Sequence, residues 1–201
     1  ERTLDWAKAE RADLILIGEH PPLDPAGMLI DDYPYRLDTG IAPDRPFCIR
    51  IVAYSRTPIV GGAIHDGPGP NHRPFLTLAV SVADRTLNII AAHPVPPHTT
   101  SLTQERDRHI ALLSAHTREP FVLAGDFNVT PWSPGFKAIP GRRVGAYLLA
   151  PTWFNNLPLL GLPIDHIMVS PTLKPSQYRV AGPTGSDHRA IKARVHLAAK
   201  Q

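Results

Sequence analysis

Short apolar runs, each followed by a polar residue, constrain the fold of this chain more than any other feature of its sequence. Three examples are Leu14–Ile17 before Glu19, Thr86–Ala92 before His93, and Phe121–Ala124 before Asp126. Runs of this length, bounded by Gly, Pro and Asp, are typical of buried β-strands. The longest falls far short of the roughly 18–20 apolar residues needed to cross a bilayer. We therefore expect a globular domain with a buried sheet.

Segments with helical periodicity separate several of these runs. Leu4–Ala12 and Thr100–Thr117 predict helices, the second with a Ser/Thr-rich start suited to capping. Phe75–Val82 and Thr86–Ala92 predict a hairpin. We predict further strands at Phe47–Tyr54, Ile164–Val169, Tyr178–Ala181 and Ile191–Leu197, loops at 20–46 and 61–73, and one short helix near Phe136 within the connections of 130–162. Buried strands alternating with helices favour a layered α/β architecture over a barrel.

Composition narrows the classes of function. The 21 basic and 18 acidic residues give a net charge of +3, and the basic residues are scattered, with one tight pair at Arg142-Arg143. The charge pattern therefore does not require a polyanionic partner. A single cysteine, Cys48, excludes an internal disulfide and a cysteine-based zinc site. The length and the absence of an internal repeat predict one domain over residues 1–201.

The polar residues at the ends of the strands, including two that precede the last strand, have a common chemistry. Three are carboxylates (Glu19, Asp126 and Asp187) and two are imidazoles (His93 and His188). Carboxylates beside an amide favour a hard cation such as Mg²⁺ or Mn²⁺, and imidazoles supply proton transfer or charge stabilisation. Such a set suits in-line attack of water on phosphorus, where charge on the phosphate oxygens must be neutralised.

Three motifs in a fixed order make this interpretation specific. They are Gly125-Asp126-Phe127-Asn128 after an apolar strand, Ile164-Asp165-His166-Ile167 on a strand, and Gly185-Ser186-Asp187-His188 before the last strand. With Glu19 and His93 upstream, the chain resembles the endonuclease/exonuclease/phosphatase superfamily from about residue 4 to residue 197. The resemblance implies a deoxyribonuclease-I-like α/β fold, a four-layer sandwich of two mixed β-sheets flanked by helices, with the site at one end.

The resemblance also implies a role for each motif residue. Glu19 and Asp187 would bind Mg²⁺ or Mn²⁺, and Asp126 would activate the attacking water. The remaining roles are implied for Asn128 (orienting the water or holding a phosphate oxygen), His188 (stabilising the phosphate), Asp165 (fixing the tautomer of His188) and His93 (contacting the scissile phosphate). The implied activity is metal-dependent hydrolysis of a phosphodiester or phosphomonoester.

Each of these residues also has a structural interpretation. Asp126 and Asn128 suit an Asx turn that ends a strand, Glu19 suits a solvated loop, and Asp165 suits a turn cap or an arginine partner. Asp187 and His188 suit an exposed polar pair, and His93 suits a strand terminator. We favour the site for all of them. Alternation along the strand predicts that His166 faces away from Asp165 and is a packed or surface histidine rather than a ligand. We expect Trp132 and Trp153 to pack their loops rather than stack on a substrate.

The chain departs from the family pattern at its start. Family members begin with a strand carrying an Asn, whereas this chain begins at the following helix, which suggests a fragment or processed form lacking its first strand. Asn71, the first Asn, does not match, and Gly18 and His20 flank Glu19 where the family has Gln and an apolar residue. A catalytically impaired phosphate-binding or sensor module on the same fold is therefore the alternative function.

The motif residues act on phosphate and leave the rest of the substrate open. We expect a nucleic acid, a phospholipid head group or a small phosphate ester, a monomeric chain and no protein partner. The segments His93-Pro94-Val95-Pro96-Pro97 and Thr152-Trp153 resemble bacterial members whose domain follows membrane-spanning helices. That resemblance favours a location outside the cytoplasm.

Overall fold

The computed structural model describes residues 2–20, 32–40, 49–154 and 160–198. Within these ranges the helices are α1 (Arg2–Glu10), α2 (Thr100–Ser114) and a 3-10 helix at Pro134–Ala138. The strands of the same ranges are β1 (Leu14–Ile17), β2 (Tyr35–Asp38), β3 (Val52–Ser55), β4 (Ile59–His65), β5 (Phe75–Val82), β6 (Arg85–Ala92), β7 (Phe121–Asp126), β8 (Arg142–Arg143), β9 (Asp165–Val169), β10 (Leu173–Val180) and β11 (Ile191–Leu197).

The largest sheet has six strands in the order β4-β5-β6-β7-β9-β8. It is mixed, because β6 and β7 run parallel and its other neighbours run antiparallel. Helix α2 makes the crossover that a parallel pair requires, and the Thr99 side chain caps it by accepting the N–H of Leu102 at 3.2 Å. Ala83 and Asp84 both have positive φ in the β5–β6 hairpin, as a tight two-residue turn demands.

Two smaller antiparallel sheets form a second layer, one with the order β1-β3-β2 and the other pairing β10 with β11. One apolar cluster joins this layer to the six-stranded sheet, with buried members that include Ile51, Ala53, Leu78, Ile89 and Leu173. Helix α2 covers the opposite face of the six-stranded sheet through Ile110 and Leu113. The layered α/β class is confirmed, although helices flank the sheets only sparsely in the described residues.

Two predicted loops contain strands. β4 occupies the start of the predicted loop 61–73. A segment with Gly61 and Gly62 can form this strand because it lies at the edge of the sheet and pairs with β5. β2 lies inside the predicted loop 20–46, whose remaining residues at 21–31 and 41–46 lie outside the described ranges. The predicted strand at Phe47–Tyr54 also begins outside them, and within the described residues β3 starts only at Val52, later than predicted.

The other boundaries differ by smaller amounts. β10 begins five residues before the predicted Tyr178, since a register shift between Ser176 and Arg179 interrupts its alternation. β11 has the predicted bounds, and the 3-10 helix lies where a short helix was expected. No helix in the described part of the chain combines the length and apolar character needed to cross a membrane.

Candidate active site

Three neighbouring strands of the six-stranded sheet bring their polar ends to one edge. β6 and β7 are parallel, with Ala91 opposite Ala124, so that His93, just after β6, and Asp126, the last residue of β7, lie at the same edge of the sheet. β9 runs antiparallel to β7 and places Asp165 directly opposite Asp126. Residues that are far apart in sequence therefore meet because the strand register brings them together.

Gly125 makes this convergence possible. Its φ is +150°, and a Cβ there would lie 1.9 Å from the carbonyl oxygen of Ala92. Only glycine allows so close an approach between the ends of β6 and β7. The glycine of the Gly125-Asp126-Phe127-Asn128 motif is thus required by the backbone packing that sets His93 beside Asp126.

Asp126 lies at the centre of the cluster. Its Oδ2 is 3.3 Å from Nε2 of His93 and 4.0 Å from Nε2 of His188. Glu19 approaches from the end of β1, with Oε1 3.9 Å from the same nitrogen of His93. The Asp126 side chain is 10% exposed and that of Glu19 is 63% exposed, so the cluster runs from a buried carboxylate to an open one.

His188 and Asp165 form a close pair. Nδ1 of His188 lies 2.9 Å from Oδ2 of Asp165, which leaves Nε2 directed toward Asp126. Burial by itself lowers the pKa of His188. The hydrogen bond and charge of Asp165 outweigh that effect and, with the charges of Asp126 and Asp187, raise this pKa to about 9. His188 is therefore an imidazolium at neutral pH.

Asn128 ties the turn after β7 to the end of β6. Its backbone N–H donates to Oδ1 of Asp126 at 2.8 Å. The Asx turn considered as the structural interpretation of these residues is therefore present. Its Nδ2 donates to the carbonyl of Pro94 at 3.0 Å. The turn and the site coexist, because Asp126 uses Oδ1 for the turn and presents Oδ2 to the imidazoles. The role of Asn128 toward water or phosphate stays a prediction.

Asp187 lies on the loop before β11 and is exposed. Oδ1 of Asp187 accepts a long hydrogen bond of 3.4 Å from the hydroxyl of Ser186, whose oxygen also accepts the N–H of His188 at 3.1 Å. Its charge is close enough to contribute to the raised pKa of His188. The predicted metal role of Asp187 stays a prediction.

Thr152 is a positioning residue that the motifs do not reveal. Its buried hydroxyl accepts the backbone N–H groups of Ile164 and Asp165, each at 3.1 Å. Its carbonyl accepts the N–H of Arg189 at 2.6 Å. One threonine thus holds the start of β9 and the residue after His188. The signal available in the sequence was a threonine in the connection before the Ile164-Asp165 strand.

The prediction for His166 is confirmed and that for Trp132 is wrong. His166 is buried, its Nε2 donates to the carbonyl of Val129 at 2.8 Å, and its Nδ1 accepts from Arg143. Burial lowers its pKa to about 4. Trp132 is 62% exposed and so does not pack its loop, because it lies in the turn that follows the site. Trp153 is partly buried and bridges Leu162 and His188 through its backbone.

The donor set determines which metal the cluster suits. Among the described residues no group of three or more His, Cys, Asp or Glu side chains is arranged as a metal cage. Mg²⁺ does not require one, since it binds through one or two carboxylates together with water and substrate phosphate. Glu19 could serve as such a carboxylate ligand, because its side chain is 63% exposed at the site and so leaves room for water and phosphate.

Solved structures share this fold at low sequence identity. An endonuclease/exonuclease/phosphatase from Beutenbergia cavernae DSM 12333 is 19% identical with a TM-score of 0.76, over 98% of this chain and 66% of that one. D. rerio TDP2 in complex with single-strand DNA product is 14% identical with a TM-score of 0.75, over 98% of this chain and 92% of that one. Sphingomyelinase C from Streptomyces griseocarneus is 15% identical (TM-score 0.64, 96% and 90%).

No curated protein shows significant similarity to this sequence. The model of the Endonuclease/Exonuclease/phosphatase family, in contrast, matches residues 1–188, which include the Glu19, Asp126, Asp165 and His188 cluster. This chain belongs to the endonuclease/exonuclease/phosphatase family.

Proposed function

We propose that this chain is a divalent-metal-dependent phosphoesterase that hydrolyses a phosphodiester or phosphomonoester by in-line attack of water. Members of its family are hydrolases of phosphoesters. The observation that carries the proposal is the position of Asp126, whose Oδ2 lies 3.3 Å from His93 and 4.0 Å from His188. A buried base between two imidazoles is what water attack on a bound phosphate needs.

The charge of the cluster supports metal dependence. Four carboxylates (Glu19, Asp126, Asp165 and Asp187) face two imidazoles (His93 and His188). This excess of negative charge repels a phosphate anion unless a cation neutralises part of it. Family members generally use divalent metals, and Mg²⁺ or Mn²⁺ suits the oxygen donors present here.

Glu19 would hold the cation, with Asp187 as the second candidate ligand. When bound, the cation supplies positive charge against the nonbridging phosphate oxygens. The protein's own groups do the rest. His93 lies between Glu19 and Asp126, where its Nε2 would contact a phosphate oxygen of the substrate.

The raised pKa of His188 supports a division of roles in which His188 is the acid and Asp126 the base. With a pKa of about 9, His188 carries its proton at neutral pH and donates Nε2–H to the phosphate, so it does not serve as the base. Asp165 holds the imidazolium through Nδ1 at 2.9 Å. Asp126 then accepts the proton of the attacking water as the new O–P bond forms, and the leaving oxygen takes a proton from His188 or from solvent.

The decisive experiment is hydrolysis of bis-p-nitrophenyl phosphate with Mg²⁺ or Mn²⁺. Asp126→Asn removes the base and lowers kcat by about 10²–10⁴-fold. Asp84→Asn is the matched control, because Asp84 lies exposed in the β5–β6 hairpin with φ +59°, a conformation that Asn accepts well. Phosphate-ligand binding without turnover in calorimetry, with either metal, would instead favour the impaired binding module.

The substrate class is tested with the same protein. The neighbours include an enzyme solved with a single-strand DNA product and a sphingomyelinase, both under 25% identical to this chain. We therefore propose a panel of single-stranded DNA, plasmid DNA, sphingomyelin and a small phosphomonoester. The highest kcat/KM in this panel identifies the class of phosphate ester, and Asp126→Asn shows whether the same site acts on each substrate.

A further inference from the structure

Where β1 ends, its strand has one residue more than the paired strand segment next to β3. β1 pairs antiparallel with β3, and Ile17 lies opposite Val52. Continuing that register would put Glu19 opposite Arg50. Instead, the N–H of His20 donates to the carbonyl of Arg50 at 3.1 Å, and Glu19 has a φ of +53°. Two residues therefore occupy the space of one, as in a β-bulge.

This bulge changes the direction of Glu19. Ile15 and Ile17 pack with Tyr54 on the outer face of the small sheet, and alternation would place residue 19 on that face too. With the extra residue, His20 takes the outer-face position and is 3% exposed. The Glu19 carboxylate is turned to the site and approaches His93.

A polar network holds His20 in place. Nε2 of His20 is 3.1 Å from the hydroxyl of Tyr54, and Nδ1 is 3.4 Å from Nη1 of Arg50. A guanidinium only donates, so Nδ1 accepts and Nε2 donates to Tyr54. Arg50 in turn binds both carboxylate oxygens of Asp38, at 2.9 and 2.6 Å. Each ring nitrogen of His20 therefore has a partner.

We propose that His20 is a positioning residue, which holds the bulge through Tyr54 and Arg50 and so aims the Glu19 carboxylate at a divalent cation. A left-handed φ is unfavourable for glutamate, so this conformation persists only where its neighbours enforce it. The inference rests on the proposed function, since it assigns Glu19 to the cation. It goes further by naming the groups outside the site that determine metal affinity.

Two tyrosines of one cluster give a matched test. Tyr54 and Tyr33 are both buried beside Val52, and the hydroxyl of Tyr33 donates to the carbonyl of Ala12 at 2.6 Å. Tyr54→Phe and Tyr33→Phe each remove one hydrogen-bonding hydroxyl, and only the first touches His20. Groups that orient a metal ligand typically contribute 10–100-fold in metal affinity.

Mn²⁺ binding to the 201-residue chain, measured by calorimetry without substrate, is the primary readout. Tyr54→Phe should raise the Kd for Mn²⁺ by about 10-fold, whereas Tyr33→Phe should leave it within about twofold. In hydrolysis, the half-saturating metal concentration should rise by the same factor for Tyr54→Phe, and kcat at saturating metal should return to the wild-type value. A purely structural role of Tyr54 would lower thermal stability without raising the half-saturating metal concentration at unchanged kcat.

Replacing His20 itself gives a second series. His20→Leu removes both ring contacts and should weaken Mn²⁺ binding by more than Tyr54→Phe, while His20→Gln keeps a donor for Tyr54 and should restore most of the affinity. Unchanged Mn²⁺ affinity in Tyr54→Phe, or equal weakening in Tyr33→Phe, overturns the inference while wild-type turnover still supports the proposed function. Absence of metal-dependent hydrolysis in the wild type overturns the proposed function, and the inference with it.

Discussion

The candidate site has two walls that are built in different ways. His93, Asp126 and Asp165 stand at the ends of paired strands of the six-stranded sheet, and their side chains are largely buried. Glu19 follows the four-residue strand β1 of the smaller sheet and is mostly exposed. The first wall is fixed by strand register and the second by a local bulge. Changes in the first should therefore affect folding and chemistry, and changes in the second should affect metal affinity.

The largest expected effect comes from adding one methyl group to each wall. Gly125→Ala would place a Cβ 1.9 Å from the Ala92 carbonyl at a φ of +150°, whereas Gly18→Ala would meet Nδ1 of His93 at an ordinary 3.6 Å. We expect Gly125→Ala to lower the free energy of unfolding by about 3–5 kcal/mol and Gly18→Ala to change it by less than about 1 kcal/mol. Urea denaturation measures both. Similar losses for the two variants would mean that the walls are equally tolerant.

Acid sensitivity should come from buried histidines packed against the six-stranded sheet, of which His109 on helix α2 is one. Burial, chiefly, lowers the pKa of His109 to about 4, beneath Phe75. The unfolded imidazole titrates near pH 6.5, so the unfolded state binds more protons between pH 6.5 and 4. Stability therefore falls as the pH falls through this window. His109→Leu should remove about 3 kcal/mol of that loss, measured as the free energy of unfolding at pH 7 and pH 4.

The control for this prediction is the same replacement at an exposed histidine. His98→Leu should leave the difference in unfolding free energy between pH 7 and pH 4 unchanged, because His98 is on the surface. His166, whose pKa is also lowered to about 4, should account for a comparable part of the remaining loss. An unaltered pH dependence in His109→Leu would contradict the assignment.

The two walls differ in how well the sequence predicts them, because one is fixed by strands with a local pattern and the other by long-range contacts. Asp126 lies at the end of one apolar strand and Asp165 at the start of another. Both also lie in short motifs, so the hydrophobic pattern and the motifs predict the same two residues. The bulge at Glu19 depends on His20, Arg50 and Tyr54 meeting across three segments, and no local pattern reveals such a contact.

The strands missed in the sequence have a related explanation. β4 contains Gly61 and Gly62 and is mostly exposed, so it has neither the apolar alternation nor the propensity of a strand. It exists because β5 offers an edge with which its backbone can pair. The role of Thr152 was hidden for the same reason, since its backbone partners Leu162, Ile164, Asp165 and Arg189 lie at least ten residues away in the sequence.

A smaller effect is expected from Thr152, which bonds the backbone N–H groups of Asp165 and of Arg189, the residue after His188. Thr152→Val removes the acceptor of the Ile164 and Asp165 N–H groups and should lower kcat for bis-p-nitrophenyl phosphate by about tenfold, equivalent to about 1.4 kcal/mol. Thr152→Ser keeps the hydroxyl and should restore most of the rate. A fall in melting temperature with unchanged kcat would show that Thr152 serves stability alone.

The smallest effect separates the two candidate metal ligands. A ligand at ten times its Kd stabilises the folded state by about 1.4 kcal/mol, which for a chain of this size raises Tm by about 4 °C. Mg²⁺ should produce this shift in the wild type and lose it in Glu19→Gln. Asp187→Asn should retain part of it, since Asp187 is exposed on a separate loop. If Asp187→Asn lost the Tm shift and Glu19→Gln kept it, the cation would bind at the loop before β11. The bulge at Glu19 would then not affect metal affinity.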